Sequence, residues 1–264
     1  MAETDSGNKR IAKNTAVLYV RMLVMMLIGF FTARVTLNAL GVTDYGINNV
    51  VGGLVSMFSL LSTSLSSATS RFLTFGLGKG DLGHLKKIFS TTINIHVILA
   101  IIVVIAIETI GVWFLNHKMT IPPERLHAAN WVLQCSVVSF AVGLLTVPYN
   151  SAIIAHEKMA AFAYMTIFDA AFKLIIVTGI YYCGGDKLIL LSVLMLLESL
   201  IRQAIYWIYC RRKFEECIYT KDWNKQISRE IFSFAGWNFI GCSAGLMKDQ
   251  GVNIVINLFS GPVV

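Results

Sequence analysis

The sequence predicts an all-α, polytopic integral membrane helix bundle: one lobe of six transmembrane helices and the start of a second lobe. Three observations carry this. Hydrophobic residues make up 56% of the 264-residue chain and charged residues only 14%, against about 45–50% and about 25% in soluble domains. Seven apolar stretches are long enough to cross a hydrocarbon core of about 30 Å. The lysines and arginines between them alternate as seven crossings require. So few charges cannot cover a water-facing surface, which argues against a soluble domain. So apolar a chain is not a disordered one. Four prolines and no glycine period exclude the fibrous classes.

Residues 1–14 are polar, carry Lys9, Arg10 and Lys13, and are expected to be a cytoplasmic tail. A basic head before an apolar run also opens a signal peptide. The run from Thr15 to Ala33, however, has a single charge, is long enough to span, and is followed by no small-residue cleavage site. It is expected to be the first transmembrane helix. Further spans are expected at Ile47–Ser70, Ile88–Leu115, Ala128–Ala155, Met159–Cys183, Leu188–Cys210 and Ile231–Leu258. The second is the least apolar, and Lys248 and Asp249 interrupt the last.

The domain organisation follows. The first six-helix lobe covers 15–210, a cytoplasmic interlobe linker 211–230, and the seventh helix opens a truncated second lobe over 231–264. The linker is charged, with Phe214, Ile218 and Trp223 interleaved. It forms either an amphipathic helix on the membrane surface or a solvated loop. The chain stops at Val264 in an apolar stretch with no polar tail, and one helix follows six without a partner. This suggests the N-terminal portion of a longer protein.

Charge fixes the expected orientation. With the N-terminus inside, the segments 1–14, 71–87, 156–158 and 211–230 hold fourteen Lys and Arg, and the external loops 41–46, 116–127 and 184–187 hold three. A missed helix would scramble that bias. The net charge of +7 and the pI near 9.2 would point to nucleic acid in a soluble protein. Here they reflect cytoplasmic loops, and no nucleic-acid partner is expected. The five cysteines form no C-x-x-C pair and fall mostly in apolar runs, as small buried hydrophobes do.

Nine charged residues fall in or near the spans: Arg21, Arg34, Glu108, Asp169, Lys173, Glu198, Arg202, Lys248 and Asp249. Charge at membrane depth is expensive and faces a cavity or a partner. Asp169/Lys173 and Glu198/Arg202 stand at i,i+4 with the acid first, the favourable order. Such pairs either neutralise themselves to ease insertion or line a polar lumen and exchange partners. Arg21 has no acid within four positions and lies too deep to snorkel easily. It needs an acid on another helix, water or an anionic ligand. Arg34 is near the outer end, where snorkelling satisfies it. Lys248 and Asp249 either neutralise one another or mark a break.

The second span carries Ser56, Ser59, Ser62, Thr63, Ser66, Thr69 and Ser70, mostly on one face. That face is either a close-packing seam or a hydrated wall. Pro148 is expected to end or kink the fourth span. Catalytic-looking strings fail on context. Gly241-Cys-Ser-Ala-Gly245 fits G-x-S-x-G but lies in an apolar helix rather than a strand–turn–helix. Gly76–Asp81 is glycine-rich without P-loop spacing and is expected to be a turn. His156-Glu157 opens H-E-x-x-H, but position 160 is Ala160. No catalytic residue, metal site or cofactor is expected, and the protein is not expected to be an enzyme.

Two segments carry a resemblance. Arg34-Val-Thr-Leu-Asn-Ala-Leu-Gly-Val-Thr-Asp-Tyr-Gly46 resembles the loop after the first helix of polysaccharide-export flippases. Arg71-Phe-Leu-Thr-Phe-Gly-Leu-Gly-Lys-Gly-Asp81 resembles the segment after their second helix. The chain is similar to the O-antigen (Wzx-type) branch of the multidrug/oligosaccharidyl-lipid/polysaccharide exporter superfamily. The quoted motifs cover about 25 residues, and the helix rhythm extends the likeness over the whole chain. The resemblance implies a MATE-like fold: two six-helix lobes around a cavity that opens to each side in turn, of which this chain supplies one lobe and the start of the other. It implies flipping of undecaprenyl-pyrophosphate-linked oligosaccharide across the bacterial inner membrane for lipopolysaccharide O-antigen or other polysaccharide, with no bond broken. The cationic lumen of such flippases points to Arg21, then Lys248. Ser59 and Ser66 would accommodate sugars. Asp169 or Glu198 would bind a coupling H⁺ or Na⁺. Besides substrate and membrane lipid, the partners implied are other polysaccharide-assembly membrane proteins. A drug/cation antiporter of the same fold and a membrane-embedded glycosyltransferase or ligase are the alternatives. Five basic against four acidic residues in the spans lean toward an anionic substrate.

Overall fold

A computed structural model describes the backbone of residues 2–119, 121–221 and 223–260, and side chains at 8, 11–119, 121–221 and 223–244. Among these residues every regular element is helical. The order is α1 (Ala2–Ser56), α2 (Ser59–Lys79), α3 (Leu82–Ala106), a π turn (Ile107–Gly111), α4 (Val112–His117), a 3₁₀ turn (Pro123–Arg125), α5 (Leu126–Ala155), α6 (Met159–Tyr182), α7 (Lys187–Lys213), a 3₁₀ turn (Glu215–Cys217) and α8 (Lys225–Ser260). Five stretches are long and apolar enough to cross a membrane, the first being Ile11–Ser56.

That first stretch is 46 residues, about 69 Å of helix, more than twice a hydrocarbon core. It divides at Gly41, where φ is 77° and ψ 171°. The two arms go different ways. The N-terminal arm packs on α6, with Val35 and Leu40 against Phe172 and Ile176. The C-terminal arm packs on α3 and α5 through Ile47, Val51 and Val55. The loop expected at 41–46 is therefore a one-residue bend, because glycine takes a positive φ without the clash that a Cβ would bring.

The second crossing is longer and less regular than expected. It runs from the bend at Gly41 through α1, breaks at Met57 and Phe58, and continues as α2 to Lys79. The expected turn at Gly76–Asp81 is only Gly80 and Asp81. Gly80 has φ 71° and caps α2, and the Asp81 carboxylate accepts the His84 amide to cap α3. This hydrogen bond holds the Asp81 carboxyl below its ordinary range.

Pro148 lies inside α5 rather than at its end, for the helix runs on to Ala155. Proline withholds the amide that would bond the Leu144 carbonyl. Gln203 of α7 enters beside this turn. It donates to the Leu145 carbonyl at 3.4 Å and accepts from Thr146 at 2.5 Å. The turn beside Pro148 is thus tied to α7.

Helix α5 is the hub and packs on α1, α2, α3, α6 and α7. The connections gather on two faces. On one, Arg125 bonds Asp44 of α1 and Asp186 at the start of α7. On the other lie the α2–α3 turn, the α5–α6 turn and residues 214–221. These last residues are neither a surface helix nor a free loop. Phe214, Glu216 and Cys217 are buried, His156 pairs with Glu216 and stacks on Phe214 at 4.1 Å, and the Thr220 amide donates to Ser90 of α3 at 2.9 Å. Below, these are the Arg125 face and the linker face.

Candidate functional site

A cavity of about 500 Å³ opens between both arms of α1, α5 and α7. Its polar wall is Thr36, Asn48, Ser56 and Ser59 from the first two crossings, with Ser136 and Ser139 from α5 and Ser192 from α7. Among the described residues no charged side chain lines it. Ser56 and Ser59 flank the break at Met57–Phe58, so the irregular backbone sits at the cavity edge. Non-helical backbone at membrane depth is tolerated where it lines a cavity, and interrupted helices mark binding sites in many transporters.

The break also faces the π turn. Met57 and Phe58 share an apolar pocket of about 460 Å³ with Ile107, Ile110 and Gly111. Two interruptions of helical geometry thus oppose one another on neighbouring crossings. Glu108, within the π turn, accepts from Gln134 of α5 at 3.0 Å.

The hydroxyl face of the second crossing divides into two parts. Ser64 and Thr69 are buried without hydrogen-bond partners beside Leu65 and Ala68, which is a close-packing seam. Ser56 and Ser59 form the cavity wall. Ser66, about 10 Å beyond Ser59 along the helix, is half-buried and does not line this cavity.

The four charges expected as two self-paired helices are one group. Lys173 donates to Asp169 at 3.1 Å within α6. Arg202 of α7 approaches the same carboxylate at 3.4 Å and Glu198 at 3.9 Å. Two acids and two bases sum to zero, and no member is left as a free charge. Asp169, Arg202 and Tyr206 also form one wall of a small cavity, about 180 Å³, with Thr146, Asn150 and Thr166. The Asn150 side-chain oxygen there is buried and unbonded.

Arg21 lies near this group, on α1. Its guanidinium stacks over the Phe162 ring of α6 at 4.4 Å. Its Nε is buried without a hydrogen-bond partner. Among the described residues no acid pairs with it. An aromatic face orients a cation without neutralising it. Arg34 is exposed, as expected near a membrane boundary. Lys248, with Asp249, falls in α8, but these side chains lie outside the described residues. Among the described residues no cluster of three or more His, Cys, Asp or Glu is placed to hold a metal ion.

The family described as "Polysaccharide biosynthesis protein" matches residues 11–264. The chain belongs to this family. No curated protein matches it. Two solved structures share its fold. One is a MOP superfamily transporter from Pyrococcus furiosus, described as having a binding pocket of reverse polarity that suggests a different function. It is 13% identical, with a TM-score of 0.78 over 96% of this chain and 57% of its own. The other is a multidrug resistance MATE family transporter of the same superfamily in an outward-facing conformation. It is 14% identical, with a TM-score of 0.79 over 96% and 56%. This chain thus spans little more than half the length of those proteins. The all-α polytopic bundle predicted from composition is the fold of these transporters, and the likeness to polysaccharide exporters holds at the level of the family.

Several site residues carried no sequence signal. Ser136, Ser139 and Ser192 are ordinary serines in apolar helices until the fold brings them to Ser59. Arg125 looked like one more loop cation. His96 is fully buried, with Nδ1 at 2.9 Å from the Thr92 carbonyl and Nε2 unbonded, and no spacing singled it out.

Proposed function

We propose that this chain is the first lobe of a membrane transporter that flips undecaprenyl-pyrophosphate-linked oligosaccharide across the bacterial inner membrane by alternating access, for O-antigen or other polysaccharide assembly. The observation that carries the reading is the uncharged, hydroxyl- and amide-lined cavity at the helix break. A glycan presents hydroxyls on every side, and a wall of Ser, Thr and Asn offers donors and acceptors without charge. Neither a glycan nor a pyrophosphate crosses about 30 Å of hydrocarbon unaided.

Arg21 supplies the complementary feature. A guanidinium oriented by Phe162 and not neutralised by an acid suits a pyrophosphate, which it can grip with two parallel N–H donors. The prenyl chain stays in the bilayer. The four-charge group carries coupling to H⁺ or Na⁺ in this reading, with Asp169 or Glu198 as the acid that exchanges its partner. A drug/cation antiporter would need an acid free to attract cations. Among the described residues the wall of the hydroxyl-lined cavity offers none, which disfavours that alternative.

The test uses the full-length protein in vesicles, following movement of fluorescent lipid-linked oligosaccharide to the far leaflet. Ser59→Leu adds apolar bulk to the cavity wall at an exposed position. It should cut the flipping rate by about tenfold or more, the effect of losing one to two kcal/mol or more of polar contact, at unchanged abundance. Unchanged flipping by Ser59→Leu and also by Ser139→Leu would overturn the reading.

A further inference from the structure

On the linker face, α2, α3 and α8 enclose a second cavity of about 630 Å³, the largest of those described. Three of its lining residues are permanent cations, Arg71 and Lys79 of α2 and Arg229 of α8, and His84 of α3 stands beside them. Its single acid, Glu230, already accepts from Gln226 at 3.1 Å. Among the described residues none of the three cations is in an ion pair. Three cations against one carboxylate leave the cavity net positive.

Two of these cations are held over aromatic rings. Arg71 lies 4.5 Å from the Phe234 ring centroid and Lys79 lies 5.7 Å from that of Phe75. These stacks fix direction without removing charge. The cations are also graded in depth. Lys79 and Arg229 sit near the helix ends at the face, while Arg71 lies eight residues further into α2, about 12 Å. Phe75 and Trp237 flank the groove and are 68% and 74% exposed. The mouth is thus basic, the flanks are aromatic, and Arg71 lies about 12 Å below the cations at the mouth. Loop cations without such a groove attract anionic membranes diffusely. Here they converge on one enclosed volume.

We propose that this cavity binds the phosphate of a membrane-embedded lipid, with Lys79 and Arg229 receiving the phosphate at the mouth and Arg71 a second phosphate or the ester oxygens below. The chain of the lipid lies against Phe75 and Trp237. The site is separate from the hydroxyl-lined cavity and stands whether or not the chain handles oligosaccharide. The same chemistry is offered by a prenyl diphosphate and by an anionic glycerophospholipid.

The full chain in zwitterionic micelles is titrated with farnesyl diphosphate, dioctanoyl phosphatidylglycerol and inorganic pyrophosphate, with binding followed by thermophoresis. At least one of the two lipids should bind, and pyrophosphate should bind at least tenfold more weakly than that lipid. Arg71→Gln and Arg229→Gln should each weaken it about fivefold, the worth of one interfacial cation. Lys118→Gln, on the Arg125 face, should change nothing. Thermal melting checks folding, and the exposed Lys79→Gln serves if Arg71→Gln melts early. Preference for farnesyl diphosphate assigns a prenyl carrier; preference for phosphatidylglycerol assigns a bilayer lipid. Failure of both lipids, equal binding of pyrophosphate, or equal weakening by Lys118→Gln would overturn the proposal.

Discussion

Arg202 of α7 places its guanidinium 3.4 Å from the Asp169 carboxylate of α6, while Lys173 holds the same carboxylate from one turn away at 3.1 Å. One acid thus answers two bases on two helices. Asp169→Asn should leave Lys173 and Arg202 with Glu198 alone and destabilise the lobe by about 1–3 kcal/mol. Adding Lys173→Gln restores the balance and should recover part of the loss. Melting of the purified variants decides this, and a single variant as stable as the parent would remove any structural role for the group.

Arg21 separates a ligand-gripping role from a structural one. In the complete protein Arg21→Ala should abolish export while membrane abundance stays near normal, because the residue stacks on Phe162 and, among the described residues, pairs with no acid. Arg21→Lys should restore only part, since an ammonium lacks the bidentate fork. Complementation of a flippase-deficient strain, with immunoblotting, reads both. Normal export by Arg21→Ala would leave the cationic contact without its residue.

Arg125 is a clamp on the opposite face. Its Nε bonds Asp44 at 2.8 Å and its Nη1 bonds Asp186 at 2.9 Å, so the second, fourth and sixth crossings meet at one guanidinium. The bond to Asp44 first, and that to Asp186 after it, raise the Arg125 pKa above its ordinary value. A raised value contributes stability below the unfolded pKa, which is lost only as pH rises through the folded one. Deprotonation of Arg125 should therefore have no effect on melting between pH 6 and 9. Arg125→Gln should cost about 1–3 kcal/mol, with the loss shrinking in high salt as two facing carboxylates are screened. Melting of the variant at low and high salt checks it.

Orientation is open to labelling, but not at Cys217. That thiol is 2% exposed, and the adjacent Cys210 thiol and burial hold its pKa well above the ordinary value, so it yields little thiolate. Cys183 is exposed on the Arg125 face. An impermeant maleimide should reach Cys183 from outside intact cells, and Lys221→Cys only after permeabilisation. The reverse pattern would invert the orientation drawn from the fourteen-to-three bias.

Apolar runs made the helices legible, because a bilayer demands length and hydrophobicity from every crossing. The i,i+4 spacing disclosed Asp169, Lys173, Glu198 and Arg202, since both members of each pair share a helix. What remained hidden lies between helices. The meeting of Arg202 with Asp169 depends on the facing of α6 and α7. The serine cavity depends on three distant segments, and no single helix carries enough hydroxyls to announce it except the second. The break at Met57–Phe58 has no proline or glycine at the break itself, so nothing local foretold it. Pro148 does not end its helix, and Gln203, which bonds the turn beside it, comes from another helix that no local pattern reveals.

Gly41 has a consequence for how the lobe is made. With no loop between them, the two arms of α1 are joined through one residue. Arg34 and Asp44 are the charged groups flanking that residue, so little polar mass accompanies it through the hydrocarbon. The backbone there, at φ 77° and ψ 171°, lies in a region essentially reserved for glycine, and a side chain would strain it by about 1–3 kcal/mol. The angle at which the first two segments part is set at this residue. It is set at the start of biogenesis, before α5, the helix that later receives one of the two arms, has been synthesised.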